Sequence, residues 1–400
     1  MWTSFLRVVS DQSLRVATIT LFCLGFTYAS TVPYLSLIGV KQLGMSTWQF
    51  SVLGIAAALA GMIGSLVLGY FSDRARNRKT SILIVMAIGA AGFGLFSIFP
   101  AQWSFILSLV LVYPIANSAY PQLFAVIRTQ TNKFGEREAV AVNSVVRSIY
   151  AGSWILVPGA VGLFITTRKN VTDSYAIAAV AFVLCFIIYA AFGSNTKNET
   201  QQTNTAWEGL KTAFGLIASK PIFYRILALA LIATVHPANG NLLPMFITQL
   251  PGGSPTDVGV LAGLVAGLEI PFMLLGGFLN HKMPLWKIII AAGVVHAVYF
   301  FGLGLASSLW HIYALAVLNA AGAAILLSLH LSYVQGLLPD RPGLGTSLLS
   351  ISSVLYRSLG ALVFGSADLI GFSGAAWLGG GLAVLGCGLL YVLDHSKSQI

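Results

Sequence analysis

One carboxylate, Glu269, stands in the apolar stretch VAGLEIPFMLLGG (265–277). An ionised side chain at the centre of a hydrocarbon layer costs about 3 kcal/mol on insertion scales, so such a group is kept where it is compensated or where it works. The chemistry open to it is proton uptake and release. Glu269 lies eight residues before Gly277, and Arg147 lies ten residues beyond Arg137. At 1.5 Å of helical rise per residue these are depths of about 12 and 15 Å, both near the middle of a ~30 Å hydrocarbon core. A carboxylate and a guanidinium at one level can offset each other's desolvation. Glu269 is therefore expected to be a proton-coupling group, with a static Arg–Glu bridge as the other reading. Arg357 lies somewhat further out in an apolar run of its own.

Softer polar groups accompany them. Asn117 and Gln122 lie in ANSAYPQLFAVIR (116–128), and His236, Asn239 and Asn241 lie in ATVHPANGNLLP (233–244). Pro237, Gly240 and Pro244 weaken the helix in the second stretch, and an interrupted span often lines a cavity. Together with Tyr150, Trp154 and Tyr356 these residues would suit a hydroxylated ligand, with hydrogen bonds at its edges and ring faces on its C–H surfaces. Hydrogen bonding between helices is the alternative for each amide and for the histidine. Cys23, Cys185 and Cys387 show neither metal-site spacing nor a pairing pattern, so no metal is expected. Neither H-E-x-x-H nor G-x-S-x-G occurs, which argues against an enzyme.

The elements that must position these groups follow from composition. Of 400 residues, 57% are hydrophobic and 8% are charged, against about a quarter charged in soluble domains. Runs long enough to span a bilayer occur near 15–39, 47–71, 80–99, 102–127, 139–166 and 173–193. They resume near 221–249, 256–280, 285–307, 309–337, 342–370 and 372–394. The division expected is an N-terminal bundle (1–193), a cytoplasmic linker (194–220) and a C-terminal bundle (221–400). Most Lys and Arg fall on one side if both termini are cytoplasmic, leaving only Lys41, Arg168 and Lys169 outside. The net charge of +10 is therefore topological and implies no nucleic-acid partner. The halves also echo one another: TVPYLSL (31–37) parallels LLPMFIT (242–248), and SVLGIAAALAG (51–61) parallels GVLAGLVAGLE (259–269). Repeated halves around a midplane site are a common carrier plan.

The loop after the second run reads GYFSDRARNRK (69–79). Asp73 can accept from basic groups and from a helix N-terminus, which makes a charge-linked cytoplasmic latch of Gly69, Asp73, Arg74 and Arg78, with Arg128 as partner. The bland alternative is that these charges only mark topology. The stretch resembles the loop motif of the major facilitator superfamily, with Asn77 where that motif has glycine. ANSAYPQLFAVIR, GEREAVAVNSVVRS (135–148), AGLEIP (266–271) and TVPYLSL further resemble bacterial sugar efflux transporters within that superfamily. The resemblance implies an all-α membrane protein with twelve transmembrane helices in two six-helix pseudo-symmetric bundles. It implies a bacterial inner-membrane location and an adjoining fifth and eighth helix at the interface of the halves. It further implies proton-driven export of a sugar or related small hydroxylated molecule by alternating access. The expected partners are a small-molecule substrate and the lipid bilayer, acting on a monomer, with a proton gradient and no cofactor. The same scaffold could instead export drugs, anionic metabolites or siderophore-like compounds. A non-transporting membrane sensor or scaffold is the third reading.

Overall fold

A computed structural model of the chain describes residues 2–74, 77–195, 215, 219–338 and 342–395. Among them no strand occurs, and twelve helices are long and apolar enough to cross a membrane. Helix is the physical expectation, because a chain without water around it must satisfy its backbone within each segment. The spans are Gln12–Tyr34, Thr47–Gly64, Arg78–Ile98, Gln102–Thr131, Glu138–Arg168 and Asp173–Phe192, then Lys220–Gln249, Pro255–Leu279, Leu285–Gly304, Leu309–Gly336, Ser347–Gly365 and Ala367–His395. They are numbered here as the first to the twelfth.

The seventh span breaks at Thr234, between the helices Lys220–Ala233 and Val235–Gln249. Pro237 explains the position: it has no N–H for the carbonyl of Ala233, and its ring crowds that turn. The fourth span loosens through a π-helical stretch, Ser108–Val112, and a further break at Ser118. Both irregular spans carry candidate ligand groups, Asn117 and Gln122 on the fourth and His236, Asn239 and Asn241 on the seventh. An additional short helix, Trp2–Ser10, packs against the fifth span. Its Arg7 pairs with Glu138 at 2.6 Å and sits 4.4 Å over the Phe134 ring. With Val8 buried and Leu6 and Val9 exposed, it has the two-faced character of a helix lying along a bilayer surface.

The two sets of six spans meet mainly through the fifth against the eighth and the second against the eleventh. Glycine decides the first of these contacts. A Cβ on Gly259 would run into the carbonyl of Pro158, and one on Gly263 into the carbonyl of Ile155. Only a missing side chain lets the two backbones lie so close. Near the same end, Thr256 Oγ1 donates to Thr166 Oγ1 at 2.9 Å and Lys41 Nζ donates to Thr248 Oγ1 at 2.7 Å. The amides of Thr47 and Trp48 donate to the Asp368 carboxylate at 3.3 and 3.0 Å, so an acidic group of the twelfth span caps the second. Ser51 Oγ donates to the Ala361 carbonyl at 2.5 Å. These fasteners all lie at one end of the molecule, the end that carries Lys41, Arg168 and Thr248.

Within the second set, the Arg225 side chain is buried with its charge met. Its Nε donates to Asp394 Oδ1 at 2.7 Å, and Tyr333 Oη donates to Asp394 Oδ2 at 2.5 Å. The seventh, tenth and twelfth spans are thereby tied at the end away from the fasteners. Cys23 and Cys185, which show no pairing pattern in sequence, are free thiols, and Cys185 Sγ donates to the Thr20 carbonyl at 3.6 Å across the sixth and first spans.

Candidate substrate cavity

A cavity of about 470 Å³ lies between the second, fourth and eleventh spans and reaches Arg78 at the end opposite the fasteners. The eleventh span contributes Ser350, Ser353, Val354 and Arg357, spaced as one face of a helix. The loosened fourth span contributes Tyr113, Asn117, Ser118, Tyr120 and Gln122. The second span supplies small residues, Ala57, Ala58 and Gly61, which leave room. Gln122 is only 6% exposed, and its Oε1 has no hydrogen-bond partner. Its Nε2 donates to Ser118 Oγ at 3.3 Å.

Of the residues singled out in the sequence, Asn117, Gln122, Arg357 and Arg78 line this cavity. Arg357 is exposed, and no hydrogen bond or ion pair reaches it among the described residues. The buried Nε of Arg78 has no hydrogen-bond partner among the described residues. His236 is exposed although it sits deep in the seventh span, and it is within electrostatic reach of Arg357. Tyr150 stands behind the lining, edge-on to Tyr120 with ring centres 4.9 Å apart. Trp154 packs partly buried against the core, and the Tyr356 ring lies 5.8 Å from His330. Asn241 is half-buried beside the exposed Gly240. Asn239 accepts from Tyr299 Oη at 2.6 Å, the interhelical role its alternative reading assigns.

Glu269 is half-buried on the eighth span, with no hydrogen bond or ion pair among the described residues. The bridge to Arg147 is not formed. Gly259 against Pro158 and Gly263 against Ile155 set an antiparallel register that brings Glu269 level with Ser148 and Ile149. The matching depth expected from helical rise therefore holds. One turn beyond Gly263, however, a Cβ on Gly267 would meet nothing within 4 Å. The Arg147 guanidinium instead lies 5.6 Å from the centre of the Phe124 ring, on the fourth span. Depth alone does not set which way a side chain turns around its helix.

Arg128 is exposed and has no ion pair among the described residues. The surroundings of Gly69 and the side chains of Asp73 and Arg74, on which the expected latch depends, lie outside the described residues. Sequence reasoning missed Ser350, Ser353, Tyr113 and Tyr120. The 350–353–357 spacing of polar residues in an apolar run was the available signal. The fasteners Thr166, Thr248, Thr256 and Asp368 carried no such pattern.

Twelve membrane-length helices among the described residues, with a cavity where the two sets of spans meet, have the plan of a multi-pass helical membrane transporter. More narrowly, the chain belongs to the Major Facilitator Superfamily, whose family model matches residues 1–158 and 125–361. It is similar to sugar efflux transporter A of Dickeya chrysanthemi, with 26% identity covering 89% of this chain and 90% of the relative. It is likewise similar to sugar efflux transporter A of Escherichia coli, with 27% identity covering 83% of each chain. Among solved structures, the nucleoside transporter NupG aligns with a TM-score of 0.79 at 15% identity, covering 96% of this chain and 99% of that one. The peptide transporter POT aligns with a TM-score of 0.76 at 15% identity, over 96% and 95% of the two chains. At these identities the solved structures speak to fold alone, since one fold hosts many cargoes.

Proposed function

We propose that the chain exports a sugar or a related small hydroxylated molecule by proton-coupled alternating access. The carrying observation is a polar cavity at the junction of the two sets of spans, with the inter-set fasteners gathered at one end. Breaking those fasteners while the opposite end shuts would expose the cavity to the other side. The distribution of basic residues supports assigning the fastened end to the outside and both termini to the cytoplasm of a bacterial inner-membrane protein. The names of the relatives support sugar as cargo and export as direction. The moving bodies are residues 1–193 and 221–400, joined by 194–220. Gly69, Asp73, Arg74, Arg78 and Arg128 form the cytoplasmic gate that closes in the other state.

Glu269 is the coupling group. It is half-buried, has no hydrogen bond or ion pair among the described residues, and stands level with Ser148 and Ile149 of the fifth span. Protonation would remove the penalty of carrying a charge through the transition. The test is uptake of radiolabelled sugars into proteoliposomes with and without an imposed proton gradient. The wild type is expected to respond to the gradient, and Glu269→Gln to keep exchange without a gradient while losing at least about tenfold of the driven rate. A full gradient response in Glu269→Gln removes the coupling role from this residue.

A further inference from the structure

We infer that the cavity holds a monosaccharide carrying an oxyanion, with Arg357 as its anchor. The inference rests on the sugar reading above and deepens it. An uncharged sugar needs donors and acceptors, which Asn117, Gln122 and Ser353 supply. It does not need a guanidinium.

Among the described residues no carboxylate lines the cavity and none pairs with Arg357. Its electrostatic neighbours, the phenol of Tyr113 and the imidazole of His236, bring no negative charge to neutralise it. Arg78, at the far end of the same cavity, has a buried Nε with no hydrogen-bond partner among the described residues. Arg147 lies just behind, over Phe124 and in electrostatic reach of Tyr120, which itself lines the cavity. Glu269, on the eighth span, makes no ion pair among the described residues. The site is therefore a positively charged depression with low-dielectric walls, which concentrates anions.

The hydroxylated part of the ligand has its own partners. The buried, unpartnered Oε1 of Gln122 accepts a sugar hydroxyl. Ser353 donates to the Ser350 carbonyl at 2.8 Å, so its oxygen remains able to accept. The Arg357 fork suits a carboxylate or a phosphate, both of which take two parallel N–H donors. The shared chemistry is an oxyanion on a polyol, whether a sugar acid or a sugar phosphate.

The experiment measures binding of glucuronate, glucose 6-phosphate and glucose to the purified full-length protein in lipid nanodiscs by calorimetry. At least one of the two anions is expected to bind about tenfold or more tightly than glucose, the discrimination that one charge-assisted hydrogen bond supplies. A preference for glucuronate assigns a carboxylate, a preference for glucose 6-phosphate assigns a phosphate, and comparable gains for both assign the oxyanion alone. In Arg357→Gln the ratio of anion to glucose affinity should collapse to about one, with Arg357→Lys in between because it keeps the charge and loses the fork. Glucose binding as tightly as both anions in the wild type overturns the inference and leaves the sugar reading standing. Binding of none of the three removes both. An anion preference that survives Arg357→Gln overturns the assignment to Arg357. The wild-type comparison requires no variant to fold.

Discussion

Asn239 shows how one residue type supports two readings until its partner is seen. From the sequence it could meet a ligand or a neighbouring helix, and the structure places its Oδ1 2.6 Å from the hydroxyl of Tyr299 on the ninth span. Removing one partner of such a bond strands the other in an apolar setting. Asn239→Ala and Tyr299→Phe are each expected to lower stability by about 1–3 kcal/mol. The double variant should lose less than the sum, because the second change removes the group stranded by the first. Thermal unfolding of the purified proteins in one detergent measures all four corners of the cycle. If Asn239→Ala leaves the melting temperature unchanged and instead weakens substrate binding, the residue belongs to the cavity and its bond to Tyr299 is incidental.

Whole elements were legible where a rule acts along the chain, and obscure where it acts across it. Apolar length marks the spans, and Pro237 predicts the weakened seventh helix, which breaks at Thr234. Helical rise places Glu269 and Arg147 at one level, as the glycine-set register bears out. The azimuth of Arg147 escapes the sequence because it depends on how the fourth and fifth spans pack. The helix Trp2–Ser10 escapes too, since nine residues are too few to stand out beside an apolar run more than twice as long. The Arg225–Asp394–Tyr333 tie is invisible for a different reason: its ionic partners lie 169 residues apart. Its energetics give an element-scale prediction. Arg225→Ala leaves Asp394 buried without a counter-charge and is expected to cost about 3–5 kcal/mol. Replacing the ionic pair together with Arg225→Met and Asp394→Leu should recover much of that loss. Melting temperatures of the single and double variants test this, and a double variant no better than the single would mean that the ions are needed for more than their mutual neutralisation.

At the scale of the molecule, the arrangement predicts that one end must part for the cavity to change sides. The second and eleventh spans provide the handle. A Cβ built on Gly54 would lie 3.4 Å from the Cβ of Ala361, close to the roughly 3.5–4.5 Å that a disulfide requires. Gly54→Cys with Ala361→Cys should therefore cross-link under mild oxidation, next to the bond from Ser51 to the Ala361 carbonyl. Cys23, Cys185 and Cys387 are not in this interface, so each single variant serves as its own control. The oxidised double variant is expected to lose nearly all proteoliposome transport and to regain it with reductant, while still binding ligand through the cavity on the unfastened side. Retained binding separates a locked carrier from a damaged one. Should fully cross-linked protein carry substrate at the reduced rate, the fastened end would not open during transport, and the route from the cavity would have to run another way.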